Sequence, residues 1–429
     1  MSKTYTDDER VQIAKKEYDN LKKNNPVTIN NGKTTIGYVS KVVNDKKTGE
    51  QAYIITDGNP KVQKPEEVNH VTVLFQGSLG VDKTLQNPGE VKRDWWDNNK
   101  QILNNIEKSY KNPNIRFEPT KQMKSSAKTL NNAMDTYFNA KFDTYGHSHS
   151  STNVQYALGS LDSEDKVNRM NGAFVYQGPN AFSMMTKKQR DRVAKLKNRI
   201  FNFVDEKDIV PIGYRHPDWQ MNCPYIGTLV FVDSKRKGMT DQHMWGGYQF
   251  KNGHLKVTKE SLREFQKAKH AYNMRAMKGQ LTALERLKKK LTKSGGVLSS
   301  GERIYLEDSR ALAVVSHASA EFEAAMLSVV MVYQKGIQEV EKLWTETLTD
   351  ARTIAVDLSE GEILSALESV GCSKQSIVAE PTNDYKEKIH KAKTMNDKFR
   401  QLAQEIRSKI NTFVQKDQEL SKQLKGLVS

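Results

Sequence analysis

The chain has 429 residues, 28% of them charged, with a formal net charge of +16 and a mean hydropathy of −0.72. That length leaves room for two domains, and no apolar run long enough to span a bilayer is expected. The positive balance suits an anionic partner, but no aromatic-rich basic motif argues for nucleic acid, and Cys223 and Cys372 lie too far apart for a disulfide framework or metal-ligand spacing.

The first ten residues lack the apolar core of a secretory signal, so export through the general pathway is not expected. Asp7 to Lys23 reads as a charged amphipathic helix ending before Asn24-Asn25-Pro26. Thr35 to Val43 and Gln51 to Thr56 are β-rich, and Asn44 to Gly49 between them is a turn cluster, so a hairpin is predicted. Val71-Thr72-Val73-Leu74-Phe75 is a nearly all-apolar run of the kind buried on both faces of a central sheet. It stops at Gln76-Gly77-Ser78. Residues 97 to 137 read as helical and polar, with Ala127 to Asn139 packed behind the next strand.

That strand, Ala140 to Tyr145, runs into Gly146-His147-Ser148-His149-Ser150, and a helix begins at about Ser151. A serine on a sharp strand-to-helix turn holds its hydroxyl away from its own backbone. The next amide and the helix N-terminus then lie close to any oxyanion formed there. Small residues at 146 and 150 suit such a crowded turn, although a Ser/His-rich surface loop has the same composition. Further on, Gly172 to Asn180 reads as strand and turn, Lys187 to Lys197 as a basic helix, and Arg199 to Val204 as a strand. The strand leads into Asp205-Glu206-Lys207-Asp208-Ile209-Val210-Pro211, and Gly227 to Asp233 is one more strand.

These pieces together resemble the class 3 lipases, over about residues 30 to 255. A buried strand ending in Phe-x-Gly-Ser with Asp94-Trp95 about sixteen residues later, a serine elbow, and an Asp-x-Val-Pro about sixty residues after the serine carry the likeness. The resemblance implies an α/β-hydrolase fold in which Ser148 is the nucleophile and Asp208 orients the histidine, with Asp205 as the alternative acid. The histidine must follow the acid. His243, in Asp241-Gln242-His243-Met244-Trp245, fits the family's ending better than His216 or His254. The amides of Ser78 and His149 would form the oxyanion hole, and Leu79 to Trp96 the lid. No cofactor or metal is implied. Trp95, Trp96, Phe182, Met184, Met185, Trp219 and Met221 are candidates for an acyl pocket, and His147 for packing of the turn. The chain departs from the family at His149-Ser150-Ser151, where Leu-Gly-Gly is usual.

From residue 256 the character changes. Proline is absent until Pro381, and apolar residues recur at helical spacing, predicting helices over Lys259–Lys293, Glu302–Ala355, Glu360–Val370 and Asn383–Leu427. In the last, Tyr385, Ile389, Ala392, Phe399, Leu402, Ile406, Ile410, Phe413, Leu420, Leu424 and Leu427 form a coiled-coil seam. The predicted architecture is therefore an α/β domain over 1–255 and an elongated helical domain over 256–429.

A lipase-like domain without a signal, followed by long helices, resembles the type VII-secreted lipase toxins with reversed domain order, in which an LXG-like helical targeting domain follows the toxin. The resemblance implies acyl-ester hydrolysis of phospholipid at a target membrane. It also implies export with small helical proteins bound to the helical domain, and an immunity protein for the lipase domain. Two further readings stay open: a serine esterase or thioesterase that is not a toxin, and a helical adaptor whose hydrolase domain has decayed.

Overall fold

In the computed structural model of the protein, residues 5–77, 108, 112, 116–216, 221, 222, 224–293 and 298–428 are described. The chain divides into two compact units, Met1–Ala283 and Leu284–Ser429.

The first unit opens with helix α1 (Asp7–Lys15), capped by Thr6, whose hydroxyl accepts from Glu9 N while the Glu9 carboxylate accepts from Thr6 N. The helix is shorter than the periodicity predicts, because Lys16–Tyr18 tightens into a 3₁₀ turn and Asp19 is extended. Strand β1 (Pro26–Ile29), which the pattern does not reveal, is a short edge strand beginning on a proline. The predicted hairpin follows as β2 (Thr34–Asp45) and β3 (Glu50–Thr56), with Gly49 at φ +76° in the turn. Then come β4 (His70–Phe75), α2 (Lys121–Thr136), β5 (Lys141–His147), α3 (His149–Gly159), α4 (Glu164–Arg169), β6 (Met170–Tyr176), α5 (Lys187–Lys195) and β7 (Ile200–Val204). The unit is completed by the short ladder β8 (Arg215–His216) with β9 (Met221–Asn222), β10 (Thr228–Phe231), α6 (Met239–His243), the short ladder β11 (Phe250–Lys251) with β12 (His254–Leu255), and α7 (Lys259–Thr292).

The eight-stranded sheet has the order β1-β2-β3-β4-β5-β6-β7-β10. Pairing is antiparallel from β1 to β4 and parallel from β4 to β10. Strands β4 to β7 advance in one direction across the sheet, and right-handed crossovers then put all the connecting helices on one face. That face packs Val71, Val73, Phe75, Ala173 and Val175 against Met123 and Leu130 of α2 and Val154 and Leu158 of α3. The alternate residues, Leu74, Tyr145, Phe174, Tyr176, Phe201 and Phe203, point the other way and need a second cover. The two ends of the unit supply it: α1 through Val11, Ile13 and Ala14, and α7 through Phe265, Ala268, Tyr272 and Ala276. At about 1.5–3 kcal/mol for each fully buried large apolar side chain, α7 is integral to this core. The first unit therefore runs to Ala283 rather than to residue 255. The composition change at 256 marks where strands give way to helix, and the core continues past it.

The second unit is helical. Its main elements are α8 (Ser300–Ile354), α9 (Glu360–Ser369) and α10 (Glu380–Val428), with a π-helical turn at Gln375–Ala379. Helices α8 and α10 pair antiparallel: Phe322 stacks on Phe399 at 4.2 Å, Tyr333 meets Tyr385 at 5.6 Å, and Glu323 bonds Arg400 at 2.8 Å. The predicted seam is only partly inward. Ile389, Ala392 and Ile410 are buried, whereas Leu402 and Phe413 are exposed. Gly301–Ile354 contains an 18-residue window of mean hydropathy 1.2, enough by length and composition to cross a membrane, against the expectation that no such run exists. The window is rich in Ala, Val, Ser and Met, so its apolar character is diffuse and easily missed beside flanking charge.

Candidate active site

Strand β5 is buried along its length and hands the chain to α3 through one residue, Ser148, whose backbone is at φ 58°, ψ −132°. A side chain is strained in this region, and such strain persists only where the surroundings impose it. Two glycines impose it here. A Cβ on Gly146 would meet the Ser150 carbonyl oxygen at 2.8 Å, and one on Gly178 would meet the Ser148 carbonyl oxygen at 2.4 Å and Ser151 Cβ at 2.2 Å. The β6 turn therefore presses directly on the elbow. Ser148 N also donates to the Tyr176 carbonyl at 2.9 Å, and Ser148 itself is buried.

The two serines that replace the expected glycines are hydrogen-bonded into this turn. Ser150 Oγ accepts from His147 N at 2.8 Å, and the one hydrogen of Ser151 Oγ is shared between the carbonyls of Tyr176 at 2.7 Å and Gly146 at 2.9 Å. Their hydroxyls fix the backbone that glycines would leave looser. His149 is the first residue of α3, where helix amides have no partner within the helix, and burial lowers its imidazole pKa. Ser78 and the lid stretch Leu79 to Trp96 lie outside the described residues. Gly77 is the last one described before them.

Asp208 and His243 come together. His243 Nδ1 stands 2.7 Å from Asp208 Oδ2, both side chains are buried, and Asp208 Oδ1 accepts from Val210 N at 3.1 Å. His243 also lies against the elbow, because its ring packs on that of His147 at 4.6 Å and its carbonyl oxygen is 2.8 Å from His147 Nε2.

Asp205, the alternative acid, has another task. Its carboxylate accepts from Lys207 N at 3.0 Å, from Ser234 Oγ at 2.8 Å and from Gln242 Nε2. Gln242 Oε1 in turn accepts from Lys237 N at 2.6 Å, so Asp205 anchors the short helix that ends in His243. Of the alternative histidines, His216 lies in the two-residue ladder with Met221, and His254 Nδ1 lies 3.9 Å from Asp7 Oδ2.

His147 is a packing residue, as its position beside the serine suggested. Its ring lies over Trp245 at 3.8 Å, and Tyr18 Oη is 2.6 Å from its Nδ1. Burial, with His243 adding to it, holds the imidazole pKa well below the ordinary range, so the ring is neutral. Among the candidate acyl-pocket residues, Met184 and Met185 belong to the core behind the sheet, and Phe182 packs against that core. Trp95, Trp96 and Trp219 lie outside the described residues, and only the backbone of Met221 is described.

Sequence reasoning passed over Glu17 and Tyr18 beside the elbow and the Asp205–Gln242 anchor. No local signal marks them, since each partner is brought in from a distant part of the chain. Comparison with known protein families, with curated proteins and with solved structures finds no match.

Proposed function

We propose that the protein is a serine carboxylic-ester hydrolase acting on lipid, of the phospholipase A type. The observation that carries the reading is the buried Asp208–His243 pair packed on the ring of His147, the residue before a serine at positive φ that ends a parallel strand. Three residue types in the order Ser, Asp, His on such a sheet fit acyl transfer. In this reading His243 takes the proton of Ser148, and the Ser148 oxygen attacks the ester carbonyl. The alcohol leaves with that proton, and water then releases the acid from the acyl-enzyme. Asp208 holds His243 in the tautomer protonated on Nδ1 and stabilises its imidazolium. The amides of His149 and Ser78 receive the oxyanion.

The helical unit is assigned to delivery: export with small helical proteins, with an immunity protein guarding the lipase unit. Support for helical partners comes from large apolar residues left exposed on the hairpin, among them Val332, Leu343, Leu402 and Phe413. The apolar window of α8 supports contact of this unit with a membrane.

Fatty-acid release from phosphatidylglycerol-rich vesicles, compared with hydrolysis of a soluble short-chain ester, tests the substrate class. Release from vesicles at the higher kcat/KM supports the lipid reading. Turnover of the soluble ester alone would assign a small-ester hydrolase instead.

A further inference from the structure

One buried carboxyl at the site has no part in that reaction. Glu17 is fully buried in the 3₁₀ turn that follows α1, between the end of β4 and the elbow. Its Oε1 accepts from Gly77 N at 3.2 Å and lies 3.3 Å from Ser150 Oγ, whose one hydrogen also faces the His147 carbonyl oxygen at 2.8 Å. A single oxygen thus joins the backbone leaving β4 to the turn that carries Ser148. The contact is close on all sides, since a Cβ on Gly77 would meet Tyr18 Oη at 2.8 Å and the His147 carbonyl oxygen at 3.0 Å.

The next residue extends the linkage. The His243 carbonyl can only accept, so His147 Nε2 carries the proton of their 2.8 Å bond, and His147 Nδ1 accepts from Tyr18 Oη at 2.6 Å. The His243 carbonyl therefore sets the tautomer of His147, Tyr18 holds the ring through its Nδ1, and His147 holds the backbone of His243.

We propose that Glu17 and Tyr18 are positioning residues for the hydrolytic site: Glu17 keeps Gly77 and the elbow in register, and Tyr18 places His243 through His147. The inference rests on the serine-hydrolase reading and adds the N-terminal segment to its machinery. The titratable groups nearest Glu17 are Tyr18 on its own turn and His147 on the elbow. Facing His147 in turn are His243 and Lys15, whose ammonium stands 5.6 Å from the Trp245 ring. No cation pairs with Glu17 among these contacts, and burial pushes its carboxyl well above the usual glutamate range, outweighing the donors that favour its charge. The sign follows: the neutral carboxyl contributes its full stability below the unfolded-state pKa and loses it as pH rises through the folded value.

The test uses the full chain and two readouts: kcat and KM on a soluble ester, and the downfield proton resonance of His243 Nδ1–H. Glu17→Gln keeps a carbonyl oxygen for both donors and cannot ionise. It is expected to hold the wild-type kcat and to extend activity to higher pH. Glu17→Ala and Tyr18→Phe, assayed below their melting temperatures, are expected to lose about ten- to a hundredfold in kcat with KM little changed, as misplacing reacting groups does. Both are expected to move the His243 resonance, and Glu17→Gln to leave it in place.

Wild-type kcat and an unmoved resonance in folded Glu17→Ala and Tyr18→Phe would overturn the proposal. So would a Glu17→Gln variant as impaired as the alanine. A wild type inactive on every ester, with the resonance still moved by both variants, would sustain the positioning role and sink the hydrolase reading.

Discussion

Among the described residues of the first unit two histidine–aspartate pairs are buried, at opposite ends of its parallel strands. At the amino ends, His70 of β4 reaches Asp143 of β5 through Nε2 at 3.0 Å, and Asp143 also accepts from Asn171 at 3.1 Å and Tyr272 at 2.8 Å. At the carboxyl ends, His243 reaches Asp208 through Nδ1 at 2.7 Å and packs on His147, the residue before the strained Ser148. The first pair is a closed knot that ties three strands, β4, β5 and β6, to α7. The second is made through Nδ1, the nitrogen that the proposed hydrolase reading requires the acid to hold. A buried histidine–aspartate pair is therefore no signature by itself. The end of the sheet it occupies, and the nitrogen it uses, decide what it can do.

The sharpest separation of the two pairs is by activity. Ser148→Ala and His243→Ala are expected to lower kcat on the soluble ester by about 10⁴-fold or more, and Asp208→Asn by on the order of 10⁴-fold. His70→Gln is expected to leave kcat unchanged. An equal loss from the His70 substitution would erase the distinction.

Stability probes the same contrast from the other side. A chain ended after residue 255 is expected not to fold, whereas one ended after residue 283 should melt cooperatively, because α7 covers one face of the sheet. Tyr272→Ala, which removes part of that cover and a donor to Asp143, should cost about 3–5 kcal/mol in urea denaturation.

A smaller effect is expected from the amino-end carboxylate. Burial works against the charge of Asp143, but the hydrogen bond and charge of His70 and the charge of Arg10 hold its carboxyl below the ordinary aspartate range. Its contribution is present above the unfolded-state pKa and lost as pH falls through the folded value. Asp143→Asn should therefore flatten the acid limb of the stability profile and cost about 1–3 kcal/mol at neutral pH. The smallest change belongs to the hairpin, where Phe413→Ser should alter stability by less than about 0.5 kcal/mol, since the ring is exposed.

Much of the parallel sheet is legible in local pattern. Val71 to Phe75 announces a strand buried on both faces, and the step from strand to helix at Ser148 is readable from its small neighbours. The choice of Asp208 and His243 rests on the lipase resemblance, with Asp205 and His216 as alternatives, and the structure brings Asp208 and His243 within 2.7 Å. The first unit's true end is not readable, because it depends on which helix covers Phe174, Tyr176, Phe201 and Phe203, and right-handed crossovers leave that face to the chain ends. Nor are Glu17 and Tyr18, which sit at the end of a charged helix and acquire their roles only when β4 and β5 arrive beside them. For Met184 and Met185 composition does not decide, since apolar residues look the same whether they line a cleft or fill the core, and the structure places both in the core behind the sheet.

The central claim is that Ser148 is an activated nucleophile. A fluorophosphonate probe reacts with such a serine and leaves a mass-detectable adduct. The account predicts one equivalent of label on the peptide that carries Ser148, and none in His243→Ala. A folded wild-type protein that takes no label, or takes it on another serine, would contradict it.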